Sequence, residues 1–241
     1  MMTMPRFWLS HRIRGPRGAF QEGRSTIPSM AFTGWPIEAI EFFERLEDDN
    51  TKVFWTEHKP VYDEFVRAPM QELLDELAKK YGPSKIFRPH RDVRFSKDKT
   101  PYKTNIAAAF ENGGYVSLSA DSFSTGTGYY TMAKDQLARF RAAIDDDKTA
   151  EVLERAIAKV TAADVEVMSF DSLKTAPRGY PKNHPRIELL RMKGCVARRE
   201  WQIGAWLDTA EPKDRVMATL DATKPLMKWL DTNVGPTTIT R

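Results

Sequence analysis

Apolar residues recur at helical spacing along the first part of the chain. Ile37, Ile40, Phe43 and Leu46 share one face of a helix expected over residues 33–49, with Pro36 at its start. A second helical stretch, around 51–58, presents Val53, Phe54 and Trp55. A third runs over 60–81 on Tyr62, Phe65, Val66, Leu73, Leu74 and Leu77, with a kink or break near Pro69, and Gly82-Pro83 ends it. The period then shortens to that of strands, over 86–95, 105–110 and 115–119. Glu111-Asn112-Gly113-Gly114 forms the turn between the last two. An extended piece over 122–132 is interrupted at Gly126-Thr127-Gly128. No helix follows it directly, as a dinucleotide fingerprint would require, so these glycines read as a turn or bulge. Helices are expected over 134–144 and 149–160, a short extended piece over 166–169, a short helix over 185–192, a strand over 195–199 and a final helix over 212–231. Asp145-Asp146-Asp147 reads as a loop and helix cap rather than a metal site. Strands in the middle with helices around them imply an α+β fold. Its centre is a mainly antiparallel sheet flanked by helices, and residues 31–241 form a single domain.

Composition narrows the class. A chain of 241 residues that is 41% hydrophobic and 11% aromatic can bury a core without staples. One cysteine, Cys195, excludes an internal disulfide framework and a multi-cysteine zinc site, and reads as a small buried hydrophobe. The four histidines stand at 11, 58, 90 and 184, so no metal is expected. No apolar run approaches the ~18–20 residues of a membrane span, and there is no secretory core, so the expectation is a cytoplasmic protein with no membrane partner. Residues 1–30 carry five arginines against one acid. They read as a disordered basic tail or a mis-assigned start, with Met30 the natural beginning. Nucleophile-elbow, phosphate-loop and HExxH signatures are absent from the sequence.

Charge is segregated rather than mixed. The formal net charge is +4, yet residues 85–105 hold seven Lys/Arg against two Asp, and residues 174–199 hold eight against one Glu. The remainder beyond the N-terminal thirty is acidic. Two unit charges 4 Å apart interact by about 1 kcal/mol in water and about 4 at an effective dielectric of 20, so such crowding calls for counter-charges from the acidic body or from a ligand.

Taken as a strand, the first basic segment separates two faces. Arg88, His90, Asp92 and Arg94 alternate onto a polar face, while Phe87, Pro89, Arg91, Val93 and Phe95 fall on a mostly apolar one. Residues 96–100 turn the chain, and Pro101-Tyr102-Lys103 resumes an extended course. Arginine forks grip carboxylate or phosphate, lysine adds a point charge and tyrosine a directional hydroxyl. The candidate ligand-binding residues are therefore Arg88, Arg91, Arg94, Lys99, Tyr102 and Lys103. Asp92 and Asp98 are the candidate catalytic groups, either orienting an arginine or acting as a base. Asp92 beside arginines should stay ionised. In the second segment Arg178 and His184 are candidate ligand contacts: Gly179 lets backbone approach closely, and Asn183-His184-Pro185 stands where a helix should start.

Arg88-x-x-Arg91-Asp92-x-Arg94-Phe95, followed by Asp98-Lys99-x-x-Tyr102, resembles the signature of the "domain of unknown function 2461" family. Phe32-Thr33-Gly34-Trp35-Pro36, residues 54–59, and residues 173–191 with Pro177-Arg178-Gly179-Tyr180 and His184-Pro185 resemble its other blocks, so the likeness covers roughly residues 30–230. The resemblance implies a mostly bacterial protein of one domain with a site around the arginine-rich block. It implies no reaction, and the cofactor stays unknown. His90 falls at an unspecified position of the signature.

Three functions are consistent with these residues. The first is an Arg/Lys-rich site for a small phosphorylated or carboxylated ligand, where hydrolysis or transfer at a phosphate ester is a candidate reaction. The second is nucleic-acid binding through the two basic segments with Tyr102 and Tyr180 stacking, against which stands the acidic remainder of the chain. The third is a protein-interaction or structural module.

Overall fold

The computed structural model describes residues 31–94 and 96–239; the expected basic tail at 1–30 and Phe95 lie outside the described residues. The helices are α1 (Ile37–Asp48), α2 (Lys52–Val61), α3 (Ala68–Tyr81), α4 (Lys134–Asp145), α5 (Asp147–Thr161), α6 (Ile187–Arg191), α7 (Glu211–Ala222) and α8 (Lys224–Asn233). The strands are β1 (Ser84–Ile86), β2 (Asn105–Phe110), β3 (Gly114–Ser119), β4 (Ser122–Tyr129), β5 (Glu166–Met168) and β6 (Cys195–Gln202), in one sheet of order β1-β2-β3-β4-β6-β5. The pairs β1/β2, β2/β3 and β5/β6 are antiparallel. The α+β architecture with a mainly antiparallel sheet is as the hydrophobic periods imply.

Two compact units make up the described chain, each with its own core. In the unit of residues 31–125 and 200–217, α1 to α3 bury an aromatic core containing Phe42, Phe43, Phe54, Trp55 and Tyr62. Between α2 and α3 the helix widens to π form over Tyr62–Arg67, where the Ala68 N–H donates to the Asp63 carbonyl five residues back. Pro60 lies inside α2 and Pro69 in the first turn of α3. The two helices expected here are thus joined. A π turn absorbs the steric demand of Pro69 without ending the helix.

In the unit of residues 126–199 and 218–239, α4, α5 and α8 pack Phe140, Ile144, Leu153, Val160, Leu226, Trp229 and Leu230 together with Cys195 and Ala197 of β6. Asp146 caps α5 by accepting from the Thr149 N–H at 2.9 Å, the role its sequence context predicts. Extended pairing is not interrupted at Gly126-Thr127-Gly128. A Cβ at Gly126 or Gly128 would overlap the carbonyl of Ala197 or Cys195 in β6, and Gly128 has φ +136. These glycines therefore admit a neighbouring backbone, so the turn reading is corrected. The single final helix is corrected too: Pro225 opens a new helix, α8, in its first turn.

The strand expected over 86–95 ends at Ile86. Beyond it lie one main-chain bond, Phe87 N–H to the Ala107 carbonyl at 2.8 Å, and one isolated antiparallel bridge, His90 with Tyr102. Pro89 and Pro101 donate no N–H, and Asp92 and Asp98 accept the N–H groups of Arg94 (3.3 Å) and Thr100 (3.0 Å). Local side-chain acceptors compete with a ladder and turn the segment into a loop.

Candidate functional site

The bridge organises the first basic segment. Arg91 N–H donates to the Pro101 carbonyl and Lys103 N–H to the Pro89 carbonyl, both at 2.8 Å. His90 and Tyr102 are thereby a non-hydrogen-bonded pair, whose own main-chain groups face away from each other. On Tyr102 those groups meet a side chain: Asn50 Oδ1 accepts from the Tyr102 N–H at 3.0 Å, and Asn50 Nδ2 donates to the Tyr102 carbonyl at 3.1 Å. The asparagine amide takes the place of a neighbouring strand. Tyr102 is 4% exposed, and its ring stacks on Trp55 of α2 with centroids 4.4 Å apart and planes 8° off parallel. Above it the exposed His90 ring sits 5.0 Å from Tyr102.

Exposure alternates through 87–94 although the strand is gone. Arg88, His90, Asp92 and Arg94 are exposed; Phe87, Pro89, Arg91 and Val93 are half-buried. The buried-leaning arginine is tied inward, its guanidinium donating to Asp98 and to the Thr100 hydroxyl with the side chain 19% exposed. Arg94 grips Asp92 through Nε at 2.9 Å and a terminal nitrogen at 2.8 Å. Hydrogen bonds from the Arg94 side chain and its N–H hold the Asp92 carboxyl down at about 2. The Thr100 N–H, the Arg91 guanidinium and the Thr100 hydroxyl do the same for Asp98, also at about 2. Both stay ionised in neutral solution, and both are weak bases.

Arg88, Lys97, Lys99 and Lys103 have no carboxylate partner among the described residues. Lys99 Nζ donates to the Val93 carbonyl at 2.9 Å and Lys103 Nζ to the Arg88 carbonyl at 2.7 Å. Lys103 also lies over the Phe87 ring, 5.8 Å from its centroid. Burial, and then the like charge of Arg88, push the Lys103 ammonium below its ordinary range. The side chains of Arg88 and Lys97 are exposed and make no hydrogen bond or ion pair among the described residues.

In the second basic segment at least four of the eight cations pair with acids. Arg186 reaches Asp147 (2.7 Å) and Glu154 (2.8 Å), Arg191 reaches Glu188 (2.9 Å), Lys193 reaches Asp171 (2.9 Å) and Arg199 reaches Asp164 (3.3 Å). Arg191 further ties down the Leu173 and Lys174 carbonyls at 2.7 and 2.6 Å. His184 has both ring nitrogens occupied: Nδ1 accepts from the Arg186 N–H at 3.0 Å, which leaves Nε2 to donate to Asp145 Oδ1 at 3.2 Å. The helix expected at Pro185 begins at Ile187 and is only five residues long. Arg178 is exposed, and Gly179 has φ +93 with open space where a Cβ would stand. Its glycine answers a backbone requirement.

No three His, Cys, Asp or Glu side chains cluster as a metal site would need, and no helix is long and apolar enough to cross a membrane, both among the described residues. Sequence reasoning missed Asn50 and Trp55, which position Tyr102. Trp55 reads as core, and Asn50, one residue before the Thr51 cap of α2, reads as part of a helix boundary.

Fold and site together define an α+β protein carrying a basic loop pinned to its helical layer. The chain belongs to the family described as "Conserved hypothetical protein (DUF2461)", whose model matches residues 38–229. No curated protein matches it. Among solved structures, it is similar to an uncharacterized protein from Methanothermobacter thermautotrophicus. The identity is 14% and the TM-score 0.36, with 68% of this chain and 99% of that chain covered.

Proposed function

We propose that the protein binds a small phosphorylated or carboxylated anion at the loop from Arg88 to Lys103. The supporting observation is the contrast in counter-charge between this loop and Arg186, Lys193 and Arg199 of the second basic segment, of which Lys174, Arg178 and Lys182 also have no carboxylate partner among the described residues. Acids from other parts of the chain meet Arg186, Lys193 and Arg199, so those residues serve the fold. In the first segment Arg91 and Arg94 pair with its own two aspartates, while Arg88, Lys97, Lys99 and Lys103 have no carboxylate partner among the described residues. Crowded like charge of this kind is stabilised by a bound anion.

Arg88 and Lys103 are the principal contacts in this reading, with His90 beside them and the buried Tyr102 holding the loop in place. Arg91, Arg94 and Lys99 shape the loop. Asp92 and Asp98 orient arginines, because carboxylates held at about 2 take up protons poorly. Arg178 is a separate anion contact, and His184 is a cap. Cys195, wholly buried with its thiol pushed up to about 12, suits a reducing, cytoplasmic setting.

A thermal-shift screen against phosphorylated metabolites, nucleotides and small carboxylates tests this reading on the wild type and on Arg88→Ala and Arg178→Ala. A ligand should raise the wild-type melting temperature and lose that effect in Arg88→Ala. A ligand that stabilises the wild type and Arg88→Ala equally would place the site elsewhere.

A further inference from the structure

Lys103 is electrostatically unlike the other lysines of its segment. The residue is half-buried, and its amine lies over the Phe87 ring and spends one of three donors on the Arg88 carbonyl. No carboxylate answers it: Asp92 is taken by Arg94, and Asp98 by Arg91 and Thr100. The charge that acts on it most is the like charge of Arg88. A lysine that is partly desolvated and set beside another cation keeps more of its free amine, and that arrangement activates lysine as a nucleophile. The same neighbour is an exposed guanidinium with its fork unspent, suited to a carboxylate or phosphate.

We propose that Lys103 is a reactive amine that forms an imine with the carbonyl carbon of an anionic aldehyde or keto acid, whose carboxylate or phosphate is held by Arg88. The inference rests on the anion-site reading above and adds the substrate class. Lys103 first gives a proton to solvent. Its nitrogen lone pair then attacks the carbonyl carbon, giving a carbinolamine with one proton moved from nitrogen to oxygen. Loss of hydroxide with the remaining N–H proton, one water in all, leaves the carbon–nitrogen double bond. No oxidant or reductant takes part. Burial lowers the ammonium's affinity for its proton and so favours the first step.

Pyridoxal 5′-phosphate is a probe carrying both an aldehyde and a phosphate, and pyridoxal is its counterpart without the phosphate. The full chain is treated with a limiting amount of either, reduced with borohydride and mapped by peptide mass spectrometry. The expected result is label on Lys103 several-fold above the exposed Lys97 and Lys99, stronger with the phosphorylated probe, and weakened in Arg88→Ala. The variant Lys103→Arg should lose the label. Label spread evenly over surface lysines, in a wild type that still responds to inorganic phosphate, overturns the amine and leaves the anion site standing. Equal labelling of Lys103 by both probes, unchanged in Arg88→Ala, overturns the anionic half of the proposal and the anion-site reading with it.

Discussion

Replacing Asn50 by alanine removes the clamp that joins the α1–α2 corner to the basic loop. Two hydrogen bonds go, at 3.0 and 3.1 Å, and both are to the main chain of Tyr102, whose ring is 4% exposed and stacked on Trp55. Each bond contributes about 0.5–1.5 kcal/mol net, and a polar group left buried without a partner costs about 1–3. The clamp is only partly buried, so water can reach part of it, and the expected loss is about 2 kcal/mol. For a chain of this size that lowers the melting temperature by about 4–8 °C. Chemical denaturation and calorimetry measure the loss, and hydrogen exchange at the Tyr102 amide should quicken in the variant. Asn50→Asp keeps an acceptor for the Tyr102 N–H but sets a carboxylate against its carbonyl, so it should not rescue. A loss below about 0.5 kcal/mol, the range of an ordinary surface substitution, would refute the view that Asn50 stands in for a strand.

Other outcomes follow from the same geometry. Carbon-detected titration should give midpoints near 2 for Asp92 and Asp98. Because their folded pKa lies below the unfolded value, what they add to the loop is complete above about pH 4 and lost as pH falls toward 2; midpoints at the ordinary aspartate value would contradict the two arginine contacts. Gly126→Ala should cost about 3 kcal/mol or more or leave the protein insoluble, because its Cβ would meet the rigid Ala197 carbonyl. Gly179→Ala meets no neighbour and should cost only the strain of its φ, about 1–2 kcal/mol, in urea denaturation. Arg186→Ala breaks contacts to Asp147 and Glu154 at 2.7 and 2.8 Å and should lower the urea midpoint. Arg88→Ala, having no such partner to lose, should stay within about 0.5 kcal/mol of the wild type in the same assay.

The parts of the fold that are legible in the sequence are those whose signal is local and periodic. Ile40, Phe43 and Leu46 mark the buried face of α1, and Asp146 marks the cap of α5. The misreadings occur where a proline or a distant partner decides. Pro225 splits the final helix, Pro69 is absorbed by a π turn, and Gly126 and Gly128 are explained by β6, about seventy residues further on. The basic loop combines both situations. Alternation at Arg88, His90, Asp92 and Arg94 gives the exposure pattern even where prolines and side-chain acceptors abolish the strand. Which cations are neutralised is not readable from spacing. Asp147 and Glu154 meet Arg186 only because the fold brings α5 to it, and Asn50 meets Tyr102 across fifty-two positions for the same reason.

Titration of the isotope-labelled protein with inorganic phosphate, followed through amide chemical shifts, tests the anion site most directly. The account predicts saturable shifts centred on Arg88, His90, Tyr102 and Lys103 that vanish in Arg88→Ala, with Arg186 and Lys193, already neutralised by acids, unmoved. Shifts absent from the 88–103 loop, or equal in wild type and Arg88→Ala, would contradict it.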